Sequence, residues 1–149
     1  MKKFMLIALA LMLAVPMMAQ RVPSDKKACL SAGILQGGGG LVGVDFEYLI
    51  GQHFSAQAGV GYISYGVSLS YHFKPFLNSS MISMNYFHQG IGPSYTASWV
   101  GPTYTYRAPK LFQCSIGMGY IVDFGPQAVD SQKNNPLGFL YSVGLYFPI

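Results

Sequence analysis

From Ala28 to the C-terminus, apolar side chains recur at every second position. The last twelve residues show it most plainly. Phe139, Tyr141, Val143, Leu145 and Phe147 fall on one face, and Leu140, Ser142, Gly144 and Tyr146 on the other. A β-strand sends successive side chains to opposite faces, so this spacing predicts a strand rather than a helix. The same reading gives a first strand at 28–36, with Leu30, Ala32 and Ile34 in phase. In a second, at 41–49, Val42, Val44, Phe46 and Tyr48 alternate with Gly43, Asp45 and Glu47. A third, at 54–62, sets Phe54, Ala56, Ala58, Val60 and Tyr62 against Ser55, Gln57, Gly59 and Gly61. A fourth, at 66–73, sets Val67, Leu69, Tyr71 and Phe73 against Ser68, Ser70 and His72. A fifth covers 81–88, with Ile82, Met84 and Tyr86 outward, and a seventh covers 111–123, with Phe112 to Val122 alternating outward. The sixth lies within 95–107, where the phase changes between Trp99 and Val100. Pro102 cannot donate to a ladder, so a bulge is expected beside it.

Turn residues separate these runs. Gly37 to Gly40 predicts a flexible turn free to take either backbone sign. Shorter breaks fall at 50–53, at 63–65 where the phase flips, at 89–93 and at 108–110. A longer one spans 74–80, and the longest, 124–137, carries Pro126, Asn134, Asn135 and Pro136. Eight strands with so apolar an outer face predict an all-β fold, an eight-stranded antiparallel up-and-down transmembrane barrel closed by pairing 138–149 with 28–36. An N-terminus in the periplasm then places both ends of the chain on the periplasmic side. Such barrels keep inner turns short, and 74–80 is long for one.

Residues 1–19 read as a cleavable signal peptide. Lys2 and Lys3 precede an unbroken apolar run from Phe4 to Val15, and Ala19 offers a cleavage site. The run is too short to span a bilayer. Residues 20–27 then form a periplasmic lead-in and 28–149 the barrel domain. The leader carries two of the nine basic residues, so seven basic and five acidic ones remain and the net charge falls from +4 to +2. No basic stripe interleaves with the aromatics, which argues against a nucleic-acid partner.

Composition points the same way as the alternation. Charged residues make up 9% of the chain and aromatics 15%, against roughly a quarter charged in a soluble domain. Alternating strands allow a wall to be apolar outside without a hydrophobic helix. Cys29 and Cys114 fall on non-neighbouring strands and in opposite phases, so no disulfide is expected between them.

The leader, the alternation, the Gly59-Val60-Gly61-Tyr62 and Gly117-Met118-Gly119-Tyr120 runs and the Tyr146-Phe147 close resemble the small eight-stranded outer-membrane β-barrel proteins of Gram-negative bacteria. The resemblance covers 28–149, and the chain departs from it in adding Pro148-Ile149 after the aromatic close. It implies an outer-membrane location, contact with outer-membrane lipid and passage through the barrel assembly machinery. Loop 124–137 is the segment expected to meet an extracellular partner.

Inward polar residues are few: Asp45, Glu47, His72, Asn85, Gln113 and Arg107. An eight-stranded barrel is narrow enough to be filled by side chains, and buried charge must be paired. The expectation is a structural plug of the lumen in which Asp45 and Glu47 meet Arg107, with His72 beside them. The tyrosines, with Trp99, read as interfacial girdles; Tyr48, Tyr62, Tyr71, Tyr104, Tyr120 and Tyr141 are the candidates. The histidines at 53, 72 and 88 lie on different elements, so no metal spacing exists. The glycines at 37–40 lack the Lys-Ser/Thr of a phosphate loop. No cofactor is expected.

Three functions of different classes fit this reading. The leading one is a non-enzymatic outer-membrane barrel with a structural or loop-mediated role. A second is a lipid-modifying barrel enzyme. The lipid A deacylases that the resemblance brings in place a His and a Ser two apart near the outer rim. Here Ser70 with His72, and His88 with Ser94 six residues beyond, are the nearest pairs, and neither matches that order and spacing. A third is a soluble periplasmic β-barrel that binds an apolar ligand inside.

Overall fold

The computed structural model describes residues 25–91, 95–126 and 135–149. The expected signal peptide, the lead-in up to residue 24, Ser94 and most of the 124–137 loop lie outside the described residues.

Eight strands follow in order: β1 (Ala28–Ile34), β2 (Val42–Leu49), β3 (Phe54–Gly61), β4 (Ser64–His72), β5 (Met81–Ile91), β6 (Tyr95–Arg107), β7 (Phe112–Phe124) and β8 (Leu137–Pro148). Each pairs antiparallel with its neighbour in sequence, and β8 pairs with β1, with Ala32 opposite Leu145 and Leu30 opposite Phe147. The sheet is a closed barrel without a free edge. One end carries Ala28, Pro148 and the 73–80 turn; the other carries the glycine turn at 35–41.

Alternation decides which side chain goes where. On β2, Val42, Val44, Phe46 and Tyr48 are exposed on the outer surface, whereas Gly43, Asp45, Glu47 and Leu49 are buried inside. β4 repeats the pattern, with Ser68, Ser70 and His72 inside. On β8, Phe139 is 79% exposed and Tyr146, seven positions on and in the opposite phase, only 1%. The barrel is therefore inverted relative to a soluble domain, with most of its large apolar side chains outside and most of its buried side chains polar.

Four local expectations change. First, β1 ends at Ile34, because Leu35 takes a left-handed conformation (φ 58°) and turns the chain inward. Second, the turn between β3 and β4 tightens to Tyr62-Ile63, since Gly61 already faces Ser64; Ile63 holds φ 65° there. Third, the irregularity in β6 falls at Ser98/Trp99, where β7 inserts an extra residue between Ile121 and Asp123. Pro102 interrupts the ladder between the Val100–Tyr120 and Thr103–Gly117 pairs without changing the register. Fourth, Trp99 belongs to no outer girdle. It points into the lumen over Gly138, where a Cβ would approach its ring to 2.6 Å. Along β6 it is in phase with the buried Thr103, Thr105 and Arg107, and the residue inserted on β7 lies beyond its partner Ile121. The six tyrosines assigned to the girdle are all exposed on the outer face.

Candidate functional site

The polar residues of the lumen gather into two groups, one at each end. The first is at the end of the termini. Glu47 on β2 is 2% exposed, and Arg107 on β6 and His72 on β4 are fully buried. Arg107 Nη2 donates to Glu47 Oε2 at 2.6 Å. Glu47 Oε1 accepts from Ser55 Oγ at 2.6 Å and lies 2.7 Å from His72 Nε2. The other two guanidinium nitrogens find acceptors as well: Nε donates to Gln113 Oε1 at 3.0 Å and Nη1 to the Leu77 carbonyl. The guanidinium also lies over the ring of Tyr146, 4.9 Å from its centroid, a cation–π contact. A charge in this setting is tolerable only because it is paired with Glu47 and each guanidinium nitrogen has an acceptor.

This cluster rests on the 73–80 turn, which explains the length of that turn. Leu77 and Ser79 are fully buried, and Asn78 and Ser80 nearly so. The turn folds into the barrel mouth, where Leu77 packs with Cys29, Leu49 and Tyr146. Ser79 Oγ accepts from the Lys74 N–H at 3.0 Å and so fixes the turn. The Tyr146 hydroxyl donates to the Ala108 carbonyl.

Asp45 joins the other group. It sits two residues nearer the glycine end than Glu47, roughly 6.6 Å along the strand. Both of its carboxylate oxygens accept from the Gly37 N–H at 3.2 Å. Among the described residues, Arg107 forms an ion pair with Glu47 alone, so the expected meeting of Asp45 with Arg107 is replaced by a loop anchor. The glycine turn is fixed rather than free. Gly37, Gly38 and Gly39 all hold positive φ, between 64° and 80°. Gly37 O accepts from Ser64 Oγ at 2.6 Å, and Gly39 O from Gln89 Nε2 at 2.9 Å. A Cβ on Gly37 would lie 2.1 Å from the Val60 carbonyl, so the turn lies directly on the wall and demands glycine.

Between the two groups lies a cavity of about 50 Å³, bordered by Gln36, Asp45, Gln57, Asn85, Thr103 and Gln113. Asn85 Nδ2 donates to Thr103 Oγ1 at 2.9 Å. Gln36, buried against Gly144 of β8, has no hydrogen-bond partner for its amide among the described residues. Gly144 thus makes room for Gln36. Such a space accommodates a few water molecules and no larger apolar ligand.

The Ser–His candidates are redistributed. Ser70 Oγ lies 2.8 Å from Ser83 Oγ, and His72 is held by Glu47. His88 instead meets Ser98, with Nδ1 2.9 Å from Oγ, across the β5–β6 hairpin. Ser98 is ten positions from His88, and only the hairpin register, centred on position 93 midway between them, reveals the pair. Among the described residues no group of three or more His, Cys, Asp or Glu side chains is arranged to hold a metal ion. Cys29 and Cys114 are free thiols, the first buried in the lumen cluster.

No protein-family model, curated protein or solved structure matches this chain.

Proposed function

We propose that the chain is a non-enzymatic outer-membrane β-barrel protein of a Gram-negative bacterium. In this reading it is exported by the 1–19 signal peptide and has a structural or loop-presenting role. The supporting observation is the inverted distribution of side chains. Leu69, Val67, Met84, Ile116, Phe139 and Tyr141 are each more than half exposed around the wall, while Glu47, His72 and Arg107 are sealed inside. A soluble barrel would leave this apolar surface in water, where exposed patches of more than a few hundred Å² are rare. A membrane contributes the missing apolar phase and leaves the polar groups where the lumen can pair them. The small, polar cavity also favours this reading over an interior site for an apolar ligand.

Asp45, Glu47, His72 and Arg107 then serve as structural closures, one anchoring the glycine turn and three blocking the opposite mouth. The wall contacts outer-membrane lipid, the assembly machinery delivers the barrel, and loop 124–137 is the surface offered to an outside partner. Cell fractionation with a gel run before and after boiling tests the assignment. The mature chain is expected in the outer-membrane fraction, migrating differently when unboiled. Recovery in the soluble periplasmic fraction with no mobility shift would overturn it.

A further inference from the structure

The outer wall is not uniformly convex. Across β2, β3 and β4 the register aligns Phe46, Ala58 and Val67 in one row and Tyr48, Ala56 and Leu69 in the next. The two alanines reduce β3 to methyl groups between the aromatic side chains of β2 and the branched ones of β4. The result is a groove of about 600 Å³ that continues to Met84, Tyr86 and Val100, within the roughly 300–1,000 Å³ of small-ligand sites. Its sides are almost wholly hydrocarbon.

The row immediately toward the glycine end differs. There Val60, Tyr65, His88 and Ser98 lie side by side across β3 to β6. The His88 imidazole packs on the Tyr65 ring with centroids 4.9 Å apart and takes Ser98 as its partner. Tyr86 joins the two rows: its ring borders the groove and its hydroxyl donates to Ser98 Oγ at 3.4 Å. With Tyr86 donating to Ser98, the serine proton is free to serve His88 Nδ1. A serine that donates to Nδ1 leaves the ring proton on Nε2 as a donor. An apolar groove thus runs up to a polar ledge near the rim of an otherwise apolar wall. This is the polarity of a membrane lipid, with its chains toward the middle of the bilayer and its headgroup toward the rim.

We propose that the groove holds an acyl chain of a phosphate-bearing membrane lipid, for which phosphatidylglycerol is the probe, and that the lipid phosphate accepts a hydrogen bond from His88 on the ledge formed with Ser98 and Tyr86. The inference rests on the membrane reading above. Two outward alanines beside a half-buried polar pair serve neither closure of the lumen.

Refolding the full chain into phosphatidylglycerol vesicles, extracting it in detergent and weighing it by native mass spectrometry tests the proposal. Folding is checked in parallel by the mobility shift on boiling. The native chain is expected to retain one phosphatidylglycerol under conditions that strip the remainder. Ala58→Leu, which fills the groove from outside the lumen, should lower the retained fraction about tenfold. His88→Ala, which leaves the groove open, should lower retention of the phospholipid but not of diacylglycerol, which lacks the phosphate. Should Ala58→Leu fail to fold, Ala56→Leu fills the adjoining row. Equal retention by native and filled barrels, or none by the native barrel, overturns the lipid site and leaves the membrane reading standing. A chain that folds in solution but never enters the vesicles overturns both.

Discussion

Arg107 Nη2 stands 2.6 Å from Glu47 Oε2, an ion pair that joins β6 to β2 across the lumen. Both side chains are almost completely buried, and the guanidinium spends its other donors on Gln113 and Leu77. Truncating one partner leaves the other charge unmatched, which costs about 3–5 kcal/mol. Arg107→Ala is therefore expected to lower the unfolding free energy by about that amount in an equilibrium urea titration of the refolded barrel. The double variant Arg107→Met/Glu47→Leu should recover much of the loss, because no charge is then stranded. Arg107→Lys should not, since one ammonium cannot reach Glu47, Gln113 and Leu77 in three directions.

The Asp45 anchor predicts a different phenotype. A Cβ on Gly59 would lie 1.7 Å from Asp45 Oδ1, so Gly59→Ala should displace the carboxylate from the Gly37 N–H while leaving the Glu47 cluster intact. Amide exchange is expected to accelerate across 36–40 and to stay unchanged at 73–80. Gly51 is the control. Nothing lies within 4 Å of its Cβ position, and Gly51→Ala should change stability by less than about 0.5 kcal/mol.

The architecture was legible because the period of two is strong on β2, β3, β4 and β8, where Val44, Val60, Leu69 and Tyr141 announce the outer face one residue at a time. The eighth strand's pairing with the first followed from parity alone. What alternation cannot encode is where turns go once they leave the sheet. The 73–80 turn and the glycine turn both fold back into the barrel, and each takes polar partners that strand phase left unassigned. Asp45 was misjudged for this reason. It lies in phase with Glu47, but two residues along β2 carry it away from the level of Arg107 and within reach of Gly37. Trp99 was misread because its large apolar ring suggested the outer face, although along β6 it is in phase with the inward Thr103, Thr105 and Arg107. The His88–Ser98 contact is a property of hairpin register, invisible to spacing along one strand.

Ile63 carries a β-branched side chain at φ 65° in a two-residue connection. The left-handed region costs a non-glycine residue about 1–2 kcal/mol, and glycine gives back about 0.5–1 kcal/mol through its freer unfolded chain. Ile63→Gly is thus expected to stabilise the barrel by up to about 1 kcal/mol, read as a higher urea midpoint with an unchanged slope. A lower midpoint would show that the Ile63 side chain makes a packing contribution larger than the backbone strain.

The wall itself offers a sharper discrimination between a membrane and a soluble barrel than location does. Met84 is 56% exposed, lies on the outer face of β5 and is flanked across the register by Leu69 and Pro102. In water, Met84→Arg places a charge on a half-exposed surface position, where changes usually stay within about 0.5 kcal/mol. Against lipid the same side chain loses its hydration and costs about 2–4 kcal/mol near the bilayer middle. Ser83, its neighbour in sequence, is buried inside the lumen against Ser70, so Ser83→Ala removes one hydroxyl pair and should cost about 1 kcal/mol in either setting. Folding titrations of both variants in vesicles should therefore rank Met84→Arg as the more damaging. If Ser83→Ala proves the worse of the two, the outer face of β5 is in contact with water and not with lipid.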